Sequence, residues 1–145
     1  MPVLALFLVF AAGAAIAAQA PTNAALAKAS GSVTLAALVS FLVGSVALAA
    51  VWATVDRTPP ATLRNAPGWA WIGGLYGAAF VAAIAFATPR LGLATAVTVA
   101  IAGQLIAALA LDHFGLLGLK VEPVTWTKAL GAVVVLAGVV LVRRG

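Results

Sequence analysis

The chain has 145 residues, of which 65% are hydrophobic and only 8% are charged, and its mean hydropathy is +1.20. A soluble domain carries about 25% charged residues, and a chain this short cannot bury two thirds of its side chains in a core. A net charge of +5 without a basic stripe argues against nucleic-acid binding, so the composition indicates an integral protein of the lipid bilayer.

Five apolar runs have the length of about 20 residues that a helix needs to cross roughly 30 Å of hydrocarbon. They cover about 3–29 with a kink near Pro21, 35–55, 69–87, 93–111 and 127–142. None shows the period-2 alternation of a membrane β-barrel. The sequence therefore predicts an all-α membrane protein, a bundle of five transmembrane helices that forms a single domain over residues 1–145.

The first run has to be distinguished from a signal peptide, because Ala18-Gln19-Ala20 resembles a cleavage site. No Lys or Arg precedes the run, however, and Pro21 would directly follow the cut. We therefore expect a retained helix.

Polar, Gly-rich or Pro-rich segments separate the runs, including a predicted tight turn at Thr88-Pro89-Arg90. All four tryptophans fall at predicted helix ends, where indole rings favour the headgroup region: Trp52, Trp69, Trp71 and Trp126. We interpret them as an interfacial belt.

Basic residues are balanced between the two sides of the membrane if each run crosses it once. Arg57, Arg64, Lys120 and Lys128 fall on the side of the N-terminus, and Lys28, Arg90, Arg143 and Arg144 fall on the other. An excess of cytoplasmic Lys and Arg normally sets topology. The balance leaves two alternatives: an antiparallel dimer of chains inserted both ways, or one orientation decided by one or two charges.

Four polar side chains inside the runs are candidate binding residues, because polar groups in hydrocarbon tend to face a cavity or another helix. Gln19 and Asn23 are four residues apart and so share one helical face, with Pro21 between them. Tyr76 and Gln104 lie near the centres of the third and fourth runs. The alternative is that these groups only join helices by hydrogen bonds.

Two further pairs have either a functional or a structural interpretation. Asp112 and His113 adjoin the end of the fourth run and suggest proton coupling or an interfacial position. Gly131 and Gly138 share a face of the fifth run, which favours either a dimer interface or packing within the chain. No constellation of catalytic groups or metal ligands is evident, and cysteine is absent, so we expect no enzyme activity, cofactor or metal.

Several short clusters together resemble one family of membrane proteins. They are Gln19, Asn23, Gly31-Ser32, Ser40-Phe41, Gly44, Trp71, Gly73-Gly74, Pro89-Arg90-Leu91-Gly92, Gly103-Gln104-Leu105, Leu111-Asp112-His113-Phe114-Gly115 and Leu136-Ala137-Gly138-Val139. In this pattern the chain resembles the YdcZ-type inner-membrane proteins of the drug/metabolite transporter (DMT) superfamily. The resemblance implies a half-transporter repeat in the bacterial inner membrane.

A more distant similarity runs to the small multidrug resistance family, if the second run is treated as an insertion. On that alignment Gln19 takes the position of the family's essential glutamate, Gly31 matches a glycine at the end of the same helix, and Gly131 and Gly138 match a glycine pair on the dimerising helix. Glutamine cannot titrate, so the resemblance does not carry proton exchange over to Gln19.

The resemblance implies a transporter, most simply an exporter of a small organic solute, that works by alternating access. We expect a homodimer, with antiparallel arrangement as one option, or a pair with a paralogous partner. The solute would bind between Gln19, Asn23, Tyr76 and Gln104. The rival interpretation is a non-transporting accessory or assembly subunit, in which these polar residues would pair locally between helices.

Overall fold

A computed structural model describes residues 2–144, and every regular element in that range is helical. Five of the helices are long and apolar enough to span a membrane. They are α1 (Pro2–Ser30), α2 (Val33–Val51), α3 (Gly73–Leu91), α4 (Leu93–Phe114) and α5 (Trp126–Arg144). The predicted all-α membrane fold is confirmed, whereas the single domain stays a prediction.

The helices belong to two compact units, Met1–Pro89 and Arg90–Gly145. In the first unit α1 packs against α2 across a two-residue connection. Gly31 adopts φ +70°, a left-handed conformation that ends α1, and Ser32 caps α2 by accepting a hydrogen bond from the backbone N–H of Leu35 at 3.1 Å. The helix α1 includes Pro21 and is unbroken from Pro2 to Ser30.

Irregular helical turns connect α2 to α3. A π-helical turn, Trp52–Asp56, extends α2, and Arg57 ends it with a φ of +55°. Two 3₁₀ segments follow, Pro60–Asn65 and Gly68–Ile72. The region predicted to begin the third transmembrane helix at residue 69 is therefore a 3₁₀ segment, and regular α-helix begins at Gly73.

The predicted tight turn at Thr88-Pro89-Arg90 is wrong, because these residues are helical. Pro89 lies within α3, which continues to Leu91. A proline near the end of a helix removes only one backbone hydrogen bond, so the last turn can tolerate it. Gly92, with φ +81°, separates α3 from α4 instead.

In the second unit α4 packs against α5. A left-handed Gly115 at φ +60° ends α4, and a short 3₁₀ turn, Leu116–Gly118, begins the connection to α5. A Cβ at Gly115 would lie 2.6 Å from a methyl group of Val121. Only glycine fits this position without displacement of the connection.

Few residues are buried, and most of them are alanine. The buried apolar residues among those described are Ala20, Ala36, Ala37, Val81, Ile84, Ala85, Ala96 and Ala102. Small side chains allow helices to approach closely, as membrane helices do. No described residue of α5 is buried, so its apolar surface is available to lipid or to another protein chain.

Candidate functional site

A groove between α1 and α2 contains the first of the predicted binding residues. The side-chain amide of Gln19 donates a hydrogen bond to the hydroxyl of Ser40 at 3.4 Å, which is longer than the usual N–H···O distance of about 2.7 to 3.2 Å. The groove has a volume of about 190 Å³ and is lined by Gln19, Ser40, Phe41, Gly44, Ser45 and Leu48. We call it the α1–α2 groove.

The lining residues of α2 explain why the groove exists. Gly44 and Ser45 are small, and they leave space that a larger side chain would fill. Phe41 lies against α3, because a Cβ at Gly77 would be 3.3 Å from its ring. The groove thus combines an amide and two hydroxyls with an aromatic ring, groups that bind polar atoms and an apolar body respectively.

Asn23 lies one turn beyond Gln19 on α1 and is only 2% exposed. It does not line the α1–α2 groove. Between the two amides, the hydroxyl of Thr22 donates to the backbone carbonyl of Gln19 at 2.7 Å. Of the predicted α1 pair, the structure therefore places Gln19 at the groove and Asn23 in the buried part of the helix.

The other two predicted binding residues are exposed. Tyr76 on α3 is 63% exposed and does not line the groove, and Gln104 is exposed on α4 in the second unit. Neither side chain has a hydrogen-bond partner in the part of the chain that the structure describes. The convergence of all four residues on one cavity stays a prediction.

Asp112 and His113 hold the connection between α4 and α5. The Asp112 carbonyl accepts the N–H of Glu122 at 2.8 Å, and Nδ1 of His113 accepts the N–H of Val124 at 3.1 Å. The His113 bond therefore ties the end of α4 to the residues just before α5. Lys128 and Glu122 add an ion pair of 3.3 Å to the same connection.

The two glycines of α5 face open space. An added Cβ at Gly131 or Gly138 would have no neighbouring atom within 4 Å apart from its own helix. At these two points α5 therefore does not pack closely against α4, its neighbour within the second unit. The dimer interface stays a prediction. The surface around Gly131 and Gly138 that it would use is not covered by α4.

Two groove residues, Ser40 and Ser45, were not among the predicted site residues. Ser40 belongs to the family-like pattern, but a single serine in a membrane helix often bonds to its own backbone, so its type alone does not mark a site. A useful signal would have been the combination of Ser40, Gly44 and Ser45. Together these small residues place hydroxyls beside a gap on one part of α2.

The comparisons with known proteins agree with this architecture. A family model described as "Putative inner membrane exporter, YdcZ" matches residues 4–141. Searches of curated proteins and of solved structures gave no significant match. Together with five helices long enough to cross a membrane, the match shows a multi-pass inner-membrane protein. Because the matched residues cover nearly the whole chain, the chain belongs to the YdcZ family of inner-membrane proteins.

Proposed function

We propose that the protein exports a small organic solute by alternating access, and that the α1–α2 groove forms part of the solute site. The Gln19 amide at this groove is the observation that carries the proposal. Its bond to Ser40 is long at 3.4 Å, so a bound solute can compete for the amide at small cost. Ser45 supplies a further hydroxyl in the same groove.

The chemistry of the groove favours an uncharged or weakly amphipathic solute. None of its lining residues is ionisable, and a charged solute without a counter-charge would have to lose its hydration in a low-dielectric site. The phenyl ring of Phe41 suits an apolar or aromatic portion of the solute. Because Gln19 does not titrate, coupling to protons would have to use another residue.

A dimer would complete the site. A volume of about 190 Å³ is below the roughly 300 to 1,000 Å³ of typical small-molecule pockets. Gln104 is an exposed amide within a transmembrane helix, and hydrocarbon cannot satisfy its hydrogen bonds. A second copy of the chain, antiparallel or parallel, or a paralogue would bring polar groups to Gln104 and Tyr76. The open glycine face of α5 is the surface we assign to that contact.

The rival function is an accessory or assembly subunit without transport. It predicts that polar side chains pair locally between neighbouring helices, and the bond between Gln19 and Ser40 is such a pair. It gives no role to the exposed Tyr76 and Gln104, which have no partner among the described residues. We therefore favour the transporter.

Efflux from proteoliposomes distinguishes the two functions. The probes are neutral aryl glycosides, which combine one aromatic ring with several hydroxyls and cross bare lipid slowly. We expect faster efflux than from protein-free liposomes. The rate should fall about five- to hundredfold in Gln19→Ala, since leaving one hydrogen-bonding group of the solute unsatisfied costs about 1 to 3 kcal/mol.

Thr22→Ala is the matched control, because the Thr22 hydroxyl donates to a backbone carbonyl of its own helix and does not line the groove. It should keep the rate within about twofold. Equal efflux from Gln19→Ala and the native protein would remove the groove from the solute path. If the protein is folded and no probe leaves faster than it does from protein-free liposomes, the accessory subunit would be favoured.

A further inference from the structure

A second concave site lies at the end of α2, away from the α1–α2 groove. It has a volume of about 460 Å³ and is lined by Trp52, Asp56, Thr58, Pro59, Pro60, Thr62 and Leu63. Trp52 and Asp56 lie in the last turn of the second transmembrane span, which ends at Asp56, and the other lining residues belong to the connection that follows it. We call it the Trp52 pocket. None of its lining residues is shared with the groove.

Thr58 forms hydrogen bonds with both Trp52 and Asp56, the aromatic and the charged residue of this pocket. Its carbonyl accepts the indole N–H of Trp52 at 2.9 Å, and its own N–H donates to the carboxylate of Asp56 at 3.3 Å. The Thr58 hydroxyl donates to the same carboxylate oxygen. The indole ring and the carboxylate are therefore fixed relative to one another before any ligand binds, which lowers the entropy cost of binding.

The carboxylate of Asp56 has no cationic partner among the residues that the structure describes. Within residues 2–144 it forms no ion pair, although Arg57 is its neighbour in sequence. Nε of Arg57 instead donates to the carbonyl of Ala53 at 3.2 Å. Glu122 in the second unit provides a contrast, because it is paired with Lys128 at 3.3 Å.

We propose that the Trp52 pocket binds an organic ammonium group. An indole face attracts cations through its quadrupole, and a nearby carboxylate adds a direct charge interaction. The apolar walls from Pro59, Pro60 and Leu63 suit the methyl or methylene groups next to the nitrogen. Tryptophan near a span end lies at headgroup depth, so the ammonium can belong to a soluble cation or to a phospholipid headgroup.

Tryptophan fluorescence of the full chain tests this site. Replacement of the three other tryptophans, as Trp69→Phe, Trp71→Phe and Trp126→Phe, leaves Trp52 as the only indole. In detergent without added lipid, the probe is tetramethylammonium chloride, with sodium chloride at equal ionic strength as the reference. We expect a saturable change of Trp52 emission with tetramethylammonium and none with sodium.

Asp56→Asn removes the charge but keeps an oxygen that can accept the Thr58 N–H, so the turn should persist. We expect its affinity for tetramethylammonium to fall at least tenfold. Glu122→Gln removes a carboxylate outside the pocket and should stay within twofold. If Asp56→Asn is misfolded by circular dichroism, Thr58→Val serves instead, because it frees the carboxylate from one anchoring bond and should weaken binding severalfold.

A second arm identifies the source of the ammonium group. The same single-tryptophan protein is placed in nanodiscs of phosphatidylethanolamine or of phosphatidylglycerol alone. An Asp56-dependent emission difference between the two lipids assigns the pocket to a headgroup, and a response to tetramethylammonium alone assigns it to a soluble cation. No response in either arm, or equal responses in Asp56→Asn and the parent protein, would overturn the proposal.

Discussion

At the residue scale, Gly115 shows how one position can determine a helix end. A residue with a Cβ would pay for a left-handed conformation at φ +60° and would approach Val121 to 2.6 Å. We expect Gly115→Ala to reduce the free energy of unfolding by about 1 to 3 kcal/mol. Thermal unfolding in detergent, followed by circular dichroism at 222 nm, measures the change.

Gly103 offers a matched control within the same helix. It lies inside α4 at ordinary helical angles, and an added Cβ there meets nothing within 4 Å. Gly103→Ala should leave stability unchanged or raise it by roughly 0.5 to 1 kcal/mol, since alanine favours helices. Equal effects of the two substitutions would mean that the end of α4 does not depend on Gly115.

Residue types also explain why the sequence predicted only part of the candidate site. Gln19 stands out in the sequence because an amide in hydrocarbon needs a partner, and the structure supplies Ser40. Serine gives a weaker signal, since its hydroxyl can bond within its own helix, as that of Ser30 does to the carbonyl of Leu26 at 2.8 Å. Which serine faces a neighbouring helix depends on packing, which composition does not specify.

At the element scale, His113 stabilises the connection between α4 and α5. Its Nδ1 accepts the N–H of Val124 across a separation of eleven residues. His113→Leu removes the acceptor, so we expect amide exchange in residues 119–125 to accelerate about five- to tenfold, for a lost bond worth about 1 kcal/mol. Hydrogen exchange measured by mass spectrometry reports this segment.

His113→Asn provides the comparison, because the amide oxygen of asparagine can occupy nearly the position of Nδ1 and accept the same N–H. Exchange in this variant should stay close to that of the native protein. Fast exchange in both variants would indicate that the ring contact with Phe114, whose centroid lies 4.8 Å away, matters more than the hydrogen bond.

The elements themselves were largely predictable, because long apolar runs leave a helix as the only way to satisfy the backbone in lipid. The α1–α2 break followed from Gly31 and Ser32, which favour helix ends and caps. The end of α3 did not follow from Pro89, since a proline in a last turn is compatible with the helix. The 3₁₀ form of Gly68–Ile72 depends on local geometry that hydropathy does not contain.

At the scale of the whole molecule, the open face of α5 predicts self-association. Gly131→Leu with Gly138→Leu would place two bulky side chains on a surface that needs close approach of backbones. We expect the protein to shift from dimer to monomer, with at least a tenfold weaker association, in light scattering after size exclusion in detergent. Gly13→Leu, at an open position on α1, is the control and should stay dimeric.

Membrane orientation is the second property of the whole molecule. Two double variants test it, and each removes two positive charges from one side of the membrane. Arg57 and Arg64 lie in the connection after α2, and Arg143 and Arg144 lie in the last turn of α5. If the even charge balance permits both orientations, a tag on either terminus of the native protein is accessible from both membrane faces. Removal of two charges from one side should then create a single orientation.

Arg143→Gln with Arg144→Gln leaves more positive charge on the side of the N-terminus, so that terminus should become cytoplasmic. Arg57→Gln with Arg64→Gln reverses the balance, and the C-terminus should become cytoplasmic instead. One fixed orientation in the native protein and in both variants would eliminate an antiparallel dimer of identical chains. The partner would then have to be parallel or a paralogue inserted the other way, because the sequence of this chain alone could not generate an inverted pair.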